Sequence, residues 1–512
     1  MKLAITGVTG NMGQATLEEL VKIEEIEKIR LLCHNKKRMK KLLKKYKKFK
    51  GKFELVEGSL LNKEVCDRLV SDVDYVVGLA AVIPPLSDQR PELAVECNEI
   101  GIKTLVKAIE DVTENQPKFI HTSTVALYGN RNSLHPWAQV GDPLLVSPFD
   151  IYSATKLRGE FCVLESEIKN WAVLRQSAML HNNMLSDNMS DGLMFHTCFN
   201  APLEWVTAHD SGVLIANILR RDMKEDLSKV FWKRVFNIGG GEKNWLTGYD
   251  TLNDGFKIIG GSTKNFFEPK FNAIRNFHGV WFYDGEKLDE LFHYQSQSAS
   301  EFWKEFGKNH SYMKLGKIVP KGLIKKFAIK RLFKNPNSAQ YWVKNNDEAK
   351  VFAYFGGKDK YDAISNDWKD FGLLVENRDE EGKELDYSQL RKKENAKLID
   401  YGFDIGKEDV TIKDLQNVAK MHGGKLLSKK FDNIYDKLEW ENSDGVQFSA
   451  RAFTVLKAGH WVNRTYSENV WDFDRLSKTD KIYSQIWYDS HAQNEDKLYY
   501  LDKDFTARMK NL

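Results

Sequence analysis

The chain opens on a short apolar run, Lys2-Leu3-Ala4-Ile5-Thr6, and runs of the same kind return at 29–33, 53–57, 74–79, 118–123, 171–176 and 235–238. Segments with helical periodicity lie between them, near 11–24, 36–48, 62–71, 92–113, 151–168 and 209–222. Strand-length apolar runs that alternate with helical patterns predict an α/β fold, a doubly wound parallel sheet with helices on both faces. A chain of 512 residues exceeds one ordinary core, so roughly two or three domains are expected.

The pattern changes after residue 310. The first region, 1–310, is expected to close with Trp281-Phe282-Tyr283-Asp284 and a helical run to Phe306. Residues 311–340 read as a basic amphipathic connector, with Lys314 to Lys334 as its helix. Its apolar face is expected to pack on a neighbouring domain, and an anionic membrane surface is the alternative. Residues 341–512, rich in Trp, Tyr and Lys, are expected to form an α+β accessory domain.

Candidate chemistry begins at the first turn, Gly7-Val8-Thr9-Gly10-Asn11-Met12-Gly13, which follows the first strand and opens a helical pattern. Gly7 can take a positive φ, Gly10 lets the backbone approach a pyrophosphate, and Gly13 lets helix and strand pack closely. The helix N-terminus then offers free N–H groups and a positive dipole end to phosphates. Downstream, Tyr152 and Lys156 stand four residues apart, a spacing that puts both on one helix face. A neighbouring ammonium favours the phenolate and lowers the tyrosine pKa, which makes the phenol a usable acid/base. Thr122, Ser123 and Thr124 end the strand that starts at Lys118. Hydroxyls at the carboxyl end of a parallel strand face the ligand crevice.

Together these residues resemble the extended short-chain dehydrogenase/reductase family, in its NAD-dependent epimerase/dehydratase-like branch, over residues 1 to about 300. Further matches are Gly78-Leu79-Ala80-Ala81 at the fourth strand, Asn98-Glu99-Ile100-Gly101 in the next helix, Thr124 four residues before Tyr128-Gly129, Leu174-Arg175, Trp205 to Asp210, and Phe236-Asn237-Ile238-Gly239-Gly240. The resemblance implies a Rossmann-type sheet with a smaller substrate lobe, and catalytic roles for Thr124, Tyr152 and Lys156. Cofactor contacts are implied for Gly7, Thr9, Gly10, Asn11, Met12 and Gly13; for His34, Asn35 and Lys36; for Ser59, Leu60, Leu79, Ala80 and Ala81; and for Asn98, Thr122, Ser123, Tyr152, Lys156 and Gln176. The implied activity is reversible alcohol/carbonyl hydride transfer on a small-molecule substrate. A homodimer through the helices near 92–113 and 151–168 is implied as well.

Charge refines the cofactor. The second strand ends at Cys33-His34 without the acidic residue that would hold a ribose 2′-hydroxyl, and Asn35-Lys36-Lys37-Arg38 follow at once. Positive charge there suits a 2′-phosphate, so NADP(H) is favoured, with NAD(H) as the alternative. The longer basic run to Lys52 reads as a solvated face with Met39, Leu42, Leu43 and Tyr46 turned inward. It lacks an aromatic stacking surface, which disfavours nucleic acid. Cys33, Cys66, Cys97, Cys162 and Cys198 have no metal-type spacing, and the start reads as a strand, not a signal peptide. A reducing cytoplasm and no metal site are expected.

Departures from the family pattern narrow the substrate. Val125-Ala126 stand where sugar-nucleotide dehydratases of this branch place an acidic pair, and Gln176-Ser177-Ala178 replace the segment usual in epimerases. Ser59 replaces an aspartate that faces adenine in the family. In the last region, Gly423 to Trp461 resembles a small zinc-ribbon-like repeat, but Asn442, Val446, Val462 and Thr465 occupy the ligand positions and no cysteine follows Cys198. A metal-free descendant held by Trp440, Phe448, Trp461 and Tyr466 is expected. The leading function is an NAD(P)-dependent oxidoreductase. A sugar-nucleotide epimerase and a non-catalytic NADP(H)-sensing or interaction protein are the alternatives.

Overall fold

The computed structural model describes residues 1–188, 191–374 and 387–500, so 375–386 and 501–512 of the expected last region lie outside the described residues. Seven strands, Lys2–Thr6, Lys28–Cys33, Phe53–Glu57, Tyr75–Gly78, Lys118–Thr124, Trp171–Gln176 and Arg234–Ile238, form one sheet. In space they run seventh, sixth, fifth, fourth, first, second, third, and every neighbouring pair is parallel. The order reverses between the first and fourth strands, and ligands bind at such a switch point, beyond the carboxyl ends. Leu3, Ile5, Val77 and Ile120 belong to one core cluster and Ala4, Val76, Phe119 and Val173 to another. A sheet covered on both faces explains why its strands read as nearly continuous apolar runs.

Helix Asn11–Leu20 crosses Ala208–Asp222 on one face so closely that a Cβ on Gly212 would lie 2.6 Å from the Ala15 carbonyl carbon. On the other face, helix Ile151–Leu164 meets the Asn98 carbonyl, 2.1 Å from where a Gly159 Cβ would sit. The expected 92–113 helix is interrupted: Pro91–Val95, a π-turn over Glu96–Ile100, then Gly101–Glu110. The expected 36–48 helix becomes Lys36–Leu43 and a 3-10 stretch over Lys44–Lys52, with Met39 and Leu42 buried as anticipated.

Ala178–Leu180, Pro202–Thr207 and Trp245–Thr247 form a separate small sheet. Glu204 pins it, accepting hydrogen bonds from the backbone N–H of Phe282 (2.7 Å) and Gly241 (3.1 Å) and from the Trp245 indole (3.1 Å). Burial pushes its carboxyl up to about 7.

Two corrections concern the second half. The basic segment is not one helix. Ser311–Lys317 is a 3-10 stretch, Pro320 follows, and Lys321–Ile324, a π-turn over Lys325–Ile329 and a 3-10 turn over Lys330–Lys334 succeed it. Proline cannot extend the preceding turns because it lacks an N–H. Nor does the apolar face pack along its whole length. Ile329 and Leu332 are buried and Phe333 meets the rings of Phe195 and Phe271, whereas Tyr312 to Phe327 carry exposed apolar side chains.

The last region contains an antiparallel sheet, Lys425–Leu426, Lys437–Glu441 and Gln447–Arg451. Trp461 packs edge-on to Trp440 and Phe448 and stacks on His422 at 4.5 Å. At the positions where ligands were expected, Asn442 accepts the N–H groups of Asp444 and Val446 and donates to the Val462 carbonyl.

This region lies directly on helix Ile151–Leu164. Arg158 donates to the Thr465 carbonyl and to Asn469, and Phe161 packs on Tyr466. Beneath them Glu160 and Arg175 form a fully buried ion pair at 2.6 Å. Arg175 also donates to the Ala458 carbonyl (2.7 Å) and to the Tyr128 hydroxyl (2.8 Å), and His460 lies 3.0 Å from Glu160. Burial alone pushes the Glu160 carboxyl up, but Arg175 and His460 hold it well below the ordinary carboxylate range. A homodimer built on the helices near 92–113 and 151–168 would have to displace this cover. No helix among the described residues is long and apolar enough to cross a membrane.

Removing one partner of a buried ion pair leaves an uncompensated charge. Arg175→Met is expected to cost about 3–5 kcal/mol of stability, read as a lower midpoint in thermal or denaturant unfolding; an unchanged midpoint would contradict the packing described.

Candidate active site

The first strand, the fourth and the fifth bring their carboxyl ends together. Thr6 fixes two of them, its hydroxyl accepting the N–H groups of Leu79 (3.2 Å) and Ala80 (3.1 Å). The turn that follows is backbone packed on backbone. Gly7 has φ +69°, and a Cβ there would lie 2.6 Å from the Ala80 nitrogen; one on Gly13 would lie 2.3 Å from the Gly7 carbonyl oxygen. The Gly10 N–H closes the turn onto that carbonyl at 2.9 Å. Gly10 also begins the helix with no side-chain cap, so the first N–H groups of the helix stay open to an anion. Thr9 and Asn11 are half-buried beside it and Met12 is buried below. Asn11 accepts a hydrogen bond from Asn183 at the rim.

His34, Asn35 and Lys36 are exposed past the second strand. Asn35 caps the next helix by accepting the Arg38 N–H, and Lys36 pairs with Glu57 at 2.6 Å. Lys37 and Arg38 are exposed alongside. After the third strand, Ser59 is half-buried and accepts the Leu61 N–H, while Leu60 is buried against Gly101. Leu79 and Ala80 are half-buried and Ala81 is exposed.

At the fifth strand, the Thr124 hydroxyl accepts the Ala126 N–H (3.2 Å), which caps the turn Val125–Tyr128, and it lies near enough to the Tyr152 phenol to favour its charged form. Tyr152 stands half-buried in the first turn of its helix, where Asp150 is the N-cap and accepts the Ser153 N–H at 2.9 Å. One turn on, Lys156 is buried and donates to the Thr122 carbonyl at 2.6 Å. Three predicted side chains thus converge around one strand end. Their electrostatics differ from the expectation of a lowered phenol. Burial pushes the Tyr152 phenol up to about 12, against a smaller opposing effect of the nearby Thr124 hydroxyl, and burial pushes Lys156 down to about 8. The physical reason is desolvation, which penalises whichever form carries charge.

Asn98 is buried within the π-turn. Its side chain accepts the Val82 N–H and donates to the Val82 carbonyl and the Thr155 hydroxyl. It therefore ties the loop after the fourth strand to the Tyr152 helix. Gln176 turns toward Ala208–Asp222, accepting from Ser211 and donating to the Ser177 carbonyl. The hydroxyls of Thr122, Ser123 and Ser177 are buried without partners. Such orphaned groups at the carboxyl end of a parallel sheet fit a bound polar ligand. His121, by contrast, is fully buried with neither ring nitrogen bonded, and burial holds it well below its ordinary pKa.

Sequence reasoning missed Asp150 and Tyr128. Asp150 approaches His278 at 3.1 Å, and the Asp-x-x-Ser spacing before the helix was its available signal. Tyr128 bonds Asn237 (2.8 Å) and receives Arg175, a long-range arrangement without local signature.

The family model described as GDP-mannose 4,6 dehydratase matches residues 4–178. Among solved structures, similarity is found to UDP-glucuronic acid 4-epimerase from Bacillus cereus in complex with UDP-glucuronic acid and NAD, at 21% identity over 62% of this chain and 99% of that one, TM-score 0.48. The dTDP-glucose 4,6-dehydratase from Bacillus anthracis in complex with NAD gives 17% identity over 62% and 98%, TM-score 0.47. The UDP-Glc/GlcNAc 4-epimerase from Campylobacter jejuni gives 18% over 60% and 99%, TM-score 0.45. The segment matched by that family model, residues 4–178, contains the glycine turn, the fifth strand and helix Ile151–Leu164.

Proposed function

We propose that the chain is an NAD(P)-dependent oxidoreductase that interconverts an alcohol and a carbonyl on a small-molecule substrate, with Tyr152 as acid/base. One observation carries this reading: the Thr124 hydroxyl, the Tyr152 phenol and the Lys156 ammonium gather at one strand end, across the switch point from an uncapped, glycine-lined helix start. When bound, the nicotinamide dinucleotide would supply the hydride acceptor or donor. The Gly7–Gly13 backbone would hold its diphosphate, and Thr122 and Ser123 offer unsatisfied hydroxyls to it. Tyr152 takes the proton of a substrate hydroxyl during oxidation and returns one to the oxygen during reduction. Thr124 hydrogen-bonds the same oxygen and fixes its direction. Lys156, protonated below about 8 and one turn along the helix from Tyr152, is the cation we assign to draw the phenol down from its buried value.

The turn after Thr124 carries Val125 and Ala126, which give it no carboxyl group to protonate a departing hydroxyl. This supports plain redox chemistry over dehydration. NADP(H) is our preferred cofactor because the second strand ends without an acid and Lys37 and Arg38 stand exposed beyond it. We read residues 341–512 as an accessory module, a metal-free descendant of a zinc-ribbon-like repeat that braces the Tyr152 helix.

Three outcomes test the reading. Tyr152→Phe is expected to lower turnover about 10²–10⁴-fold while cofactor affinity, measured by titration, changes little; full activity would remove the phenol from the chemistry. Lys37→Glu with Arg38→Glu is expected to weaken NADPH binding about tenfold or more and spare NADH, and equal losses for both would overturn the NADP(H) preference. The third concerns pH. Burial lowers the folded pKa of Lys156 from 10.5 to about 8, so its charged form destabilises the fold below about 8, and that cost fades as pH rises toward 10.5. Lys156→Met should therefore raise the unfolding midpoint at pH 7, by an effect on the order of 3 kcal/mol, with the gain shrinking at alkaline pH while activity is lost. A midpoint that falls at neutral pH would contradict the burial of that charge.

A further inference from the structure

Six of the seventeen exposed large apolar side chains among the described residues fall within 312–327. Ile318 is 80% exposed, Tyr312 67%, Leu315 66% and Phe327 64%, and Val319 and Leu323 are exposed as well. Their placement is not scattered. Tyr312 and Leu315 lie three apart within the 3-10 stretch Ser311–Lys317, with Ile318 three further on, and a 3-10 helix stacks positions i and i+3 on one side. Leu323 and Phe327 are four apart across the helical turns that follow, which again gives one side. The stretch is anchored, not loose. Gly316 sits against Ile259, Lys317 against Gly260, and the buried Ile329 and Leu332 fix the far end.

The charge carried by the stretch itself is of one sign. Ten Lys or Arg and no Asp or Glu occur between Glu305 and Asp347. Lys325 and Lys330 are partly neutralised by Glu268. Lys314, Lys317, Lys321 and Lys326 are exposed and form no ion pair among the described residues. A surface that interleaves protruding apolar side chains with long cationic ones matches a medium that is anionic on top and apolar just below. Lysine stems can lie along the apolar layer while their ammonium groups reach the headgroups. The apolar side chains project outward, which suits insertion into a soft interface.

We propose that the ridge from Tyr312 to Phe327 docks the protein reversibly on an anionic lipid surface, with Ile318, Leu315 and Phe327 entering the headgroup boundary and Lys314, Lys317, Lys321 and Lys326 paired with lipid phosphates or carboxylates. Because the ridge lies outside the candidate active site, the proposal stands apart from the catalytic reading.

The full chain is mixed with vesicles of phosphatidylcholine alone, and of phosphatidylcholine with phosphatidylserine, then sedimented. Binding is expected only with the anionic vesicles, weakening as salt rises, and falling about tenfold or more in the variant Ile318→Glu with Phe327→Glu, whose thermal unfolding and activity stay as in the parent. No binding to anionic vesicles would overturn the proposal. So would binding that the double variant leaves intact, because the lysine run at 36–52 would then be responsible. Self-association, or capture of polyglutamate, that the variant abolishes without any vesicle binding would assign the ridge to a protein partner and equally refute it.

Discussion

The buried Glu160–Arg175 pair is the contact on which the rest of the arrangement turns. It joins the Tyr152 helix to the sixth strand of the sheet, one turn beyond Lys156, in a place with no solvent. Two charges withdrawn from water tolerate little displacement, since the attraction that offsets their desolvation depends on close geometry. Tyr128 satisfies a further guanidinium N–H from the sheet side, and the Ala458 carbonyl and His460 complete the set from the far end of the chain. A single electrostatic knot thereby sets the height of the helix over the strand ends and recruits the last region to hold it there.

The candidate site follows from that placement. With the helix fixed, Tyr152 reaches Thr124 and Lys156 reaches the Thr122 carbonyl. The same burial that fixes them shifts both groups toward their neutral forms, the phenol up to about 12 and the ammonium down to about 8. In the proposed reaction the site is thus preorganised in shape before it is tuned in charge. The glycine turn has a different logic. Gly7 and Gly13 are required by backbone contacts that no side chain could share, and the uncapped helix start is what those contacts leave available to a phosphate.

The seven strands were legible because a sheet buried on both faces writes an apolar run for each strand, and the glycine turn was legible because steric demands at Gly7 and Gly13 restrict the residue type. Tyr152 and Lys156 lie one turn apart on helix Ile151–Leu164, as their spacing implied, and Lys156 reaches the Thr122 carbonyl. The phenol pKa was not legible, since spacing records a neighbouring charge but not the loss of water around both groups. Tyr128 and Asp284, which share Asn237 between them, are separated by long stretches of sequence and leave no periodic trace. The basic segment misled for a related reason. Its amphipathic pattern suits a single helix, but Pro320 divides it, and its far end, with Ile329 and Leu332, is what enters the core.

The second half of the chain thus has two faces in this account, one braced against the helix that carries Tyr152 and one ridge left toward solvent. The central claim remains the coenzyme at the amino-terminal turn. Calorimetric titration of the intact chain with NADPH and with NADH tests it most directly. The account predicts saturable binding of a reduced nicotinamide dinucleotide at one site per chain, and the absence of heat or saturation with both coenzymes would contradict it.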